Sequence, residues 1–154
     1  MEDFKIYSVS DRYISYLWEK FPNVYSNKMD TRVHTRKYLG VVLQVGEYKY
    51  YIPMSSPKQT DYQIAGDSMV IKKSIVPIMR VVVKNAKVER ELKATLRLGH
   101  MIPVPASELE LYDLDNEPDA AYKDLVQYVL SALDYKALEE MCDHFAEHIS
   151  KTIV

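Results

Sequence analysis

The chain has 154 residues, of which 47% are hydrophobic and 27% charged, with a formal net charge of −2. A single cysteine, Cys142, excludes an intramolecular disulfide and a cysteine-rich zinc site. The four glycines form neither a P-loop nor a GxGxxG pattern. The length fits one domain, taken as 1–154, large enough to bury its own core. No apolar run is long enough for a membrane span, and Met1-Glu2-Asp3-Phe4-Lys5 leads straight into amphipathic sequence without a signal peptide. A reducing cytoplasm is therefore the expected setting. The charge is uneven: residues 1–105 carry 17 Lys/Arg and 10 Asp/Glu, net +7, and residues 106–154 carry 3 Lys and 12 Asp/Glu, net −9. A basic body favours a phosphate-bearing partner, and an acidic segment is one that RNA avoids.

In chain order, residues 4–9 alternate as a short strand. Ser8 or Ser10 can cap a helix over 11–20, with Tyr13, Ile14, Leu17 and Trp18 on one face and Phe21-Pro22-Asn23 as its stop. Residues 22–36 read as a long loop holding Tyr25, Lys28, Arg32, His34 and Arg36. Tyr38–Val45 and Tyr48–Met54 form a hairpin around Gly46-Glu47. Residues 59–67 read as loop, and Ser68–Lys73 and Ile78–Lys84 as β-like runs. Val88 to Leu96 fits either a short helix or a long turn. The stretch 98–105 is β-like, and Leu109–Tyr112 is a further short strand. Asp119 caps a helix with Leu125, Tyr128, Val129, Ala132 and Leu133 on one face. After a break near Asp134, a last helix starts near Lys136 and carries Leu138, Met141, Cys142, Phe145 and Ile149 at helical spacing. The expected class is α+β: a mostly antiparallel sheet packed by helices from both ends of the chain.

The chemistry concentrates where the hairpin ends, at Ser55-Ser56-Pro57-Lys58. Pro57 keeps Ser56 out of the α region, so two hydroxyls and an ammonium are held together at a strand end. The start of one hairpin strand lies beside the end of the other, so Arg36, Lys37, Ser55, Ser56 and Lys58 are expected to meet. Other sets are weaker. His144 and His148 lie one helical turn apart without an HExxH pattern, His34 and His100 stand alone, and Cys142 has core spacing. The acidic stretch 108–119 fits a solvated turn. No metal or cofactor is expected. Lys, Arg, Ser and Tyr alone can support RNA strand cleavage, because the substrate brings its own nucleophile, the 2′-hydroxyl. A non-catalytic RNA-binding module using the same groove is the alternative.

The run Tyr38-x-Gly40-Val41-Val42-Leu43, then Lys49-Tyr50 and Ser55-Ser56-Pro57-Lys58, resembles the ToxN/AbiQ/CptN toxins of bacterial type III toxin–antitoxin systems, the CptN branch most of all. Phe4-Lys5-Ile6-Tyr7, Met101-Ile102-Pro103-Val104 and Tyr122-Lys123-x-Leu125 extend the resemblance over nearly the whole chain. It implies a twisted antiparallel sheet related to the MazF/Kid-like toxins, flanked by N- and C-terminal helices. It further implies phage defence, and a metal-independent endoribonuclease that cuts RNA, mRNA included, to a 2′,3′-cyclic phosphate. Its partner would be a small pseudoknot antitoxin RNA, which the toxin processes and then holds in a ring-like assembly.

By the same resemblance, Ser55 and Ser56 fall on a Thr/Ser-Ser pair, Lys58 on a catalytic lysine, and Arg36 where some relatives carry an active-site lysine. Arg keeps the charge there but stays protonated. An upstream active-site tyrosine corresponds to Tyr25, or its place is taken by Arg32. The expected catalytic set is Ser55, Ser56, Lys58, Arg36 and Tyr25. Lys28, Arg32, Lys37, Tyr38, Lys72 and Lys73 are the expected RNA contacts.

Overall fold

A computed structural model describes residues 5–21, 35–74, 78–84 and 90–153. Among these, the strands are β1 (Lys5–Val9), β2 (Lys37–Val45), β3 (Tyr48–Ser55), β4 (Tyr62–Ala65), β5 (Ser68–Ile71), β6 (Ile78–Lys84), β7 (Arg90–Arg97), β8 (Ile102–Pro103) and β9 (Leu109–Leu111). The helices are α1 (Asp11–Lys20), α2 (Ala120–Ala132) and α3 (Tyr135–Ile153). Seven strands form one antiparallel sheet in the order β6-β7-β3-β2-β1-β9, with β8 also paired to β3. The α+β class expected from the sequence is the one observed.

The predicted hairpin is the spine of this sheet. Gly46 turns it with φ +60°, a conformation that favours glycine. β3 changes neighbours along its length: β8 lies against Tyr50 and Tyr51, and β7 against Met54 and Ser55. Its last residues are thereby held by β7, just past the final β2 pair of Tyr38 with Pro53. Gly40 faces Tyr51 in the register, and a Cβ there would come 2.2 Å from Tyr51 Cδ2, so the ring requires a glycine beneath it.

Both faces are covered. Leu39, Ile52, Leu96, Val126, Val129, Leu138 and Cys142 pack between the sheet and α2–α3. Val9, Ile14, Leu17, Tyr38, Tyr51, Ile102 and Val104 pack between the sheet and α1. Each large buried aliphatic side chain contributes roughly 1.5–3 kcal/mol. Burial pushes the Cys142 thiol up to about 12, which fits its core placement.

The caps explain the helices. Ser10 Oγ accepts from Tyr13 N at 3.3 Å and Asp119 Oδ1 from Tyr122 N at 3.2 Å. Asp134 Oδ1 accepts from Ala137 N at 3.0 Å, marking the break before α3.

Five expectations change. Leu98–His100 is a 3-10 turn, so of the β-like stretch 98–105 only Ile102–Pro103 is strand. Trp18 is exposed rather than on the buried face of α1. α2 buries Val126 and Val129, with its C-cap Leu133 buried beyond them, and leaves Leu125 and Tyr128 exposed, so its inner face is rotated from the expected one. Residues 59–67 are not loop throughout: Gln59–Asp61 is a 3-10 turn and β4 pairs with β5 across Gly66, at φ +65°. That small hairpin is largely exposed, with Ile64 77% accessible, so it shows no alternation of buried and exposed residues. The 88–96 stretch resolves as strand β7 over its described part. Thr95 is buried opposite Ala94 and Leu96 because both sheet faces are covered, and this blurs the period-two pattern.

Candidate active site

β2 begins and β3 ends on the same edge of a cavity of about 590 Å³. Thr35, Arg36 and Lys37 line one side of it, and Ser55, Ser56, Pro57 and Lys58 another. α2 closes it with Tyr122, Leu125, Val126 and Val129, and β7 contributes Lys93 and Ala94. The five residues expected to meet do so. The cavity has a polar, cationic rim and an apolar back wall, the pairing that holds a charged group and a ring together.

The two serines differ. Ser55 Oγ is buried and shares a 2.7 Å hydrogen bond with Thr95 Oγ1, across the β3–β7 register pair. Ser56 is exposed. One hydroxyl therefore fixes the strand end and the other faces solvent. Arg36 is half-buried, and one terminal nitrogen donates to the Met54 carbonyl at 3.2 Å, which ties the two chain segments together. Lys58 is exposed at the rim.

Lys37 is the unexpected cation. It is only 7% exposed. Its Nζ donates to the Thr35 carbonyl at 2.9 Å and lies 3.1 Å from Thr35 Oγ1. It also sits 5.2 Å from the Tyr112 ring centroid and 5.6 Å from that of Tyr122, within reach of both π faces. Burial lowers its pKa, against an opposing pull from Glu117 and Glu110. Burial also raises the pKa of Tyr122, with Glu117 adding to the effect. The two rings meet edge to face at 6.3 Å and 82°.

The other expected RNA contacts divide. Tyr38 is fully buried in the core beneath α1 and presents no surface to RNA; strand alternation turns it away from the cavity. Lys72 and Lys73 follow β5 and do not line the cavity. Tyr25, Lys28, Arg32 and His34 lie outside the described residues, as does the side chain of His148. Sequence reasoning missed Thr95, Lys93 and the cavity role of Tyr122. Thr95 and Lys93 sit on a strand whose type the sequence left open. Tyr122 enters the sequence reading only through the family resemblance, although its tyrosine-lysine pair at a helix start is the kind of aromatic and basic signal that could have marked it.

The chain matches the family described as Toxin ToxN, type III toxin-antitoxin system, over residues 5–150. It belongs to that family. Among curated relatives of this ToxN-family protein, an Endoribonuclease ToxN of Pectobacterium atrosepticum is 30% identical over 119 residues, covering 77% of this chain and 64% of the relative. An Endoribonuclease AbiQ of Lactococcus lactis subsp. lactis is 32% identical over 111 residues, covering 72% of this chain and 56% of the relative. The chain thus spans less than two thirds of the length of these relatives. Solved structures agree on the fold. One, from work on a processed non-coding RNA that regulates a bacterial antiviral system, superposes with a TM-score of 0.80 at 22% identity, over 97% of this chain and 88% of that one. Another, from work on selective toxin inhibition by a non-coding RNA pseudoknot, gives 0.66 at 22% identity over 99% and 79%. Among the described residues of this ToxN-family chain, no helix is long and apolar enough to cross a membrane.

Proposed function

We propose that this chain is the toxin of a type III toxin–antitoxin system and an endoribonuclease acting at the Arg36–Ser55–Ser56–Lys58 cavity. Family membership supports the class, and the curated relatives it matches are named endoribonucleases. The observation that carries the reading is the convergence of Arg36, Ser56 and Lys58 on one rim, with Ser55 anchored behind them.

The reaction follows from what each group can do. Arg36, planar and permanently charged, holds a phosphate backbone beside the strand it braces. Ser56 donates a hydrogen bond to a non-bridging oxygen of the scissile phosphate. Lys58 stabilises the charge that builds as the 2′-hydroxyl attacks, and delivers a proton to the departing 5′-oxygen. The P–O5′ bond breaks as the P–O2′ bond forms and the 2′-hydroxyl proton passes to solvent water, leaving a 2′,3′-cyclic phosphate and a 5′-hydroxyl. The steps draw on this chain's own side chains, and the activity is proposed to be metal-independent.

The partner on this reading is a small pseudoknot antitoxin RNA, cut from its precursor by the toxin and retained in a closed protein–RNA assembly. Cellular mRNA is the toxic target, and the cytoplasm is the site of action. The support is the family and the RNA pseudoknot inhibition described for a protein of the same fold. The test is a labelled precursor RNA incubated with wild-type protein. Unit-length products with cyclic ends, still bound to protein, are the expected outcome. Tight binding without any cut would replace this reading with a non-catalytic RNA-binding module.

A further inference from the structure

Behind Lys58 lies a charge cluster that the cavity chemistry does not use. Asp61 is fully buried. Its carboxylate accepts from the Lys58 backbone N–H at 2.8 Å through Oδ2. Its Oδ1 accepts from Arg80 Nε at 3.0 Å, and an Arg97 terminal nitrogen lies 3.1 Å from Oδ1 and 3.2 Å from Oδ2. Its backbone is pinned as well: Asp61 N donates to the Lys58 carbonyl at 2.9 Å, and Lys72 N donates to the Asp61 carbonyl at 2.9 Å. Arg80 then reaches on to the Lys73 carbonyl at 2.9 Å.

Three charged groups out of water are an expensive way to hold a turn, since apolar residues of like volume would do so as stably or better. What the carboxylate offers instead is direction. Only an acceptor aimed at the Lys58 N–H fixes where the Cα of Lys58 sits, and therefore where its ammonium starts from. Arg80 on β6 and Arg97 on β7 hold that acceptor against the sheet. Pro57 limits the chain on the other side. Two guanidiniums against one carboxylate also leave the cluster one net positive charge.

We infer that Asp61, locked by Arg80 and Arg97, is the positioning residue for Lys58 in RNA cleavage. This rests on the endoribonuclease reading given above. The opposing effects on the carboxyl agree with an ionised state: burial pushes its pKa up, and the Lys58 amide, Arg97 and Arg80 together bring it below the usual value.

The test compares wild type with Asp61→Asn, whose single side-chain oxygen cannot serve both the Lys58 N–H and the guanidiniums. Single-turnover cleavage of a labelled mixed-sequence RNA, RNA affinity, thermal midpoint and hydrogen exchange at the Lys58 amide are measured together. Ile14→Val, on the buried face of α1 in the core away from α2 and α3, is the stability control. The expected result is a cleavage rate lower by about ten- to a hundredfold, the scale of an ångström-sized misplacement. RNA affinity should stay within about threefold, and the Lys58 amide should exchange at least about tenfold faster. A folded Asp61→Asn protein that cuts at the wild-type rate overturns the inference. So does a rate loss that only tracks the thermal midpoint, as in the Ile14→Val control. If Asp61→Asn does not fold, Arg97→Lys takes its place, keeping the charge but losing the planar fork, with the same expected and contrary results. If wild type cuts nothing, the endoribonuclease reading falls by itself. The amide exchange of Lys58 then decides the positioning: unchanged protection in the variant contradicts it.

Discussion

Lys37 and Lys58 line one cavity and live in different surroundings. Lys58 stands exposed on the rim, its backbone held by a buried carboxylate. Lys37 is buried, its ammonium held by Thr35 and two tyrosine rings. One cation stands at the solvent-facing rim on a pinned backbone, and the other is enclosed by the protein. Two lysines on one cavity therefore differ in how far they are desolvated.

The sharpest way to break this contrast is to remove each charge in turn. Lys58→Ala is expected to lower the single-turnover rate by about a hundredfold or more, the scale of one lost oxyanion donor. Its thermal midpoint should stay close to wild type, as for an exposed side chain. In a salt series, Lys58→Ala should reduce the slope of log affinity against log salt by about one phosphate contact, and Lys37→Met should leave it unchanged. An equal loss of slope in both variants would show that Lys37 is offered to RNA after all.

The serine pair gives a second, smaller contrast. Ser56→Ala should cost activity, roughly ten- to a hundredfold, with little effect on stability. Ser55→Ala should leave the buried Thr95 hydroxyl without its partner and cost about 1–3 kcal/mol in denaturant unfolding. Gly40→Ala, which forces Tyr51 to move, should cost a similar amount, about 1–3 kcal/mol.

The smallest effect is on the pH dependence of stability. Burial lowers the Lys37 pKa in the folded protein from its ordinary 10.5. Between that lowered value and 10.5 the unfolded chain keeps a proton that the folded chain has released, so stability attributable to Lys37 rises with pH across this window. Unfolding titrations of Lys37→Met should lack that alkaline rise. A rise of the same size in wild type and variant would remove Lys37 as its source.

Much of this was legible in the chain because it is local. Ser55-Ser56-Pro57-Lys58 ends a hairpin whose turn and alternation are explicit, and hairpin geometry brings Arg36 and Lys37 to it. The rest depends on contacts that no local pattern carries. Thr95 meets Ser55 from forty residues away, and Arg80 and Arg97 reach Asp61 from strands whose charged residues hide their period. Tyr38 reads as an aromatic beside a basic pair, yet cover on both sheet faces puts it in the core. Lys37 was expected to hold RNA because sequence gives a charge but not its burial.

The central claim is that the strand-end corner cleaves RNA through Lys58. Its most direct test is a labelled mixed-sequence RNA incubated in excess EDTA with wild type and with Lys58→Ala, the product ends assayed for a cyclic phosphate and RNA binding measured in parallel. Cleavage with cyclic ends by wild type alone, with both proteins binding RNA, is the expected result. Equal cleavage by the two proteins, or wild-type cleavage that stops in EDTA and returns with a divalent cation, would contradict it.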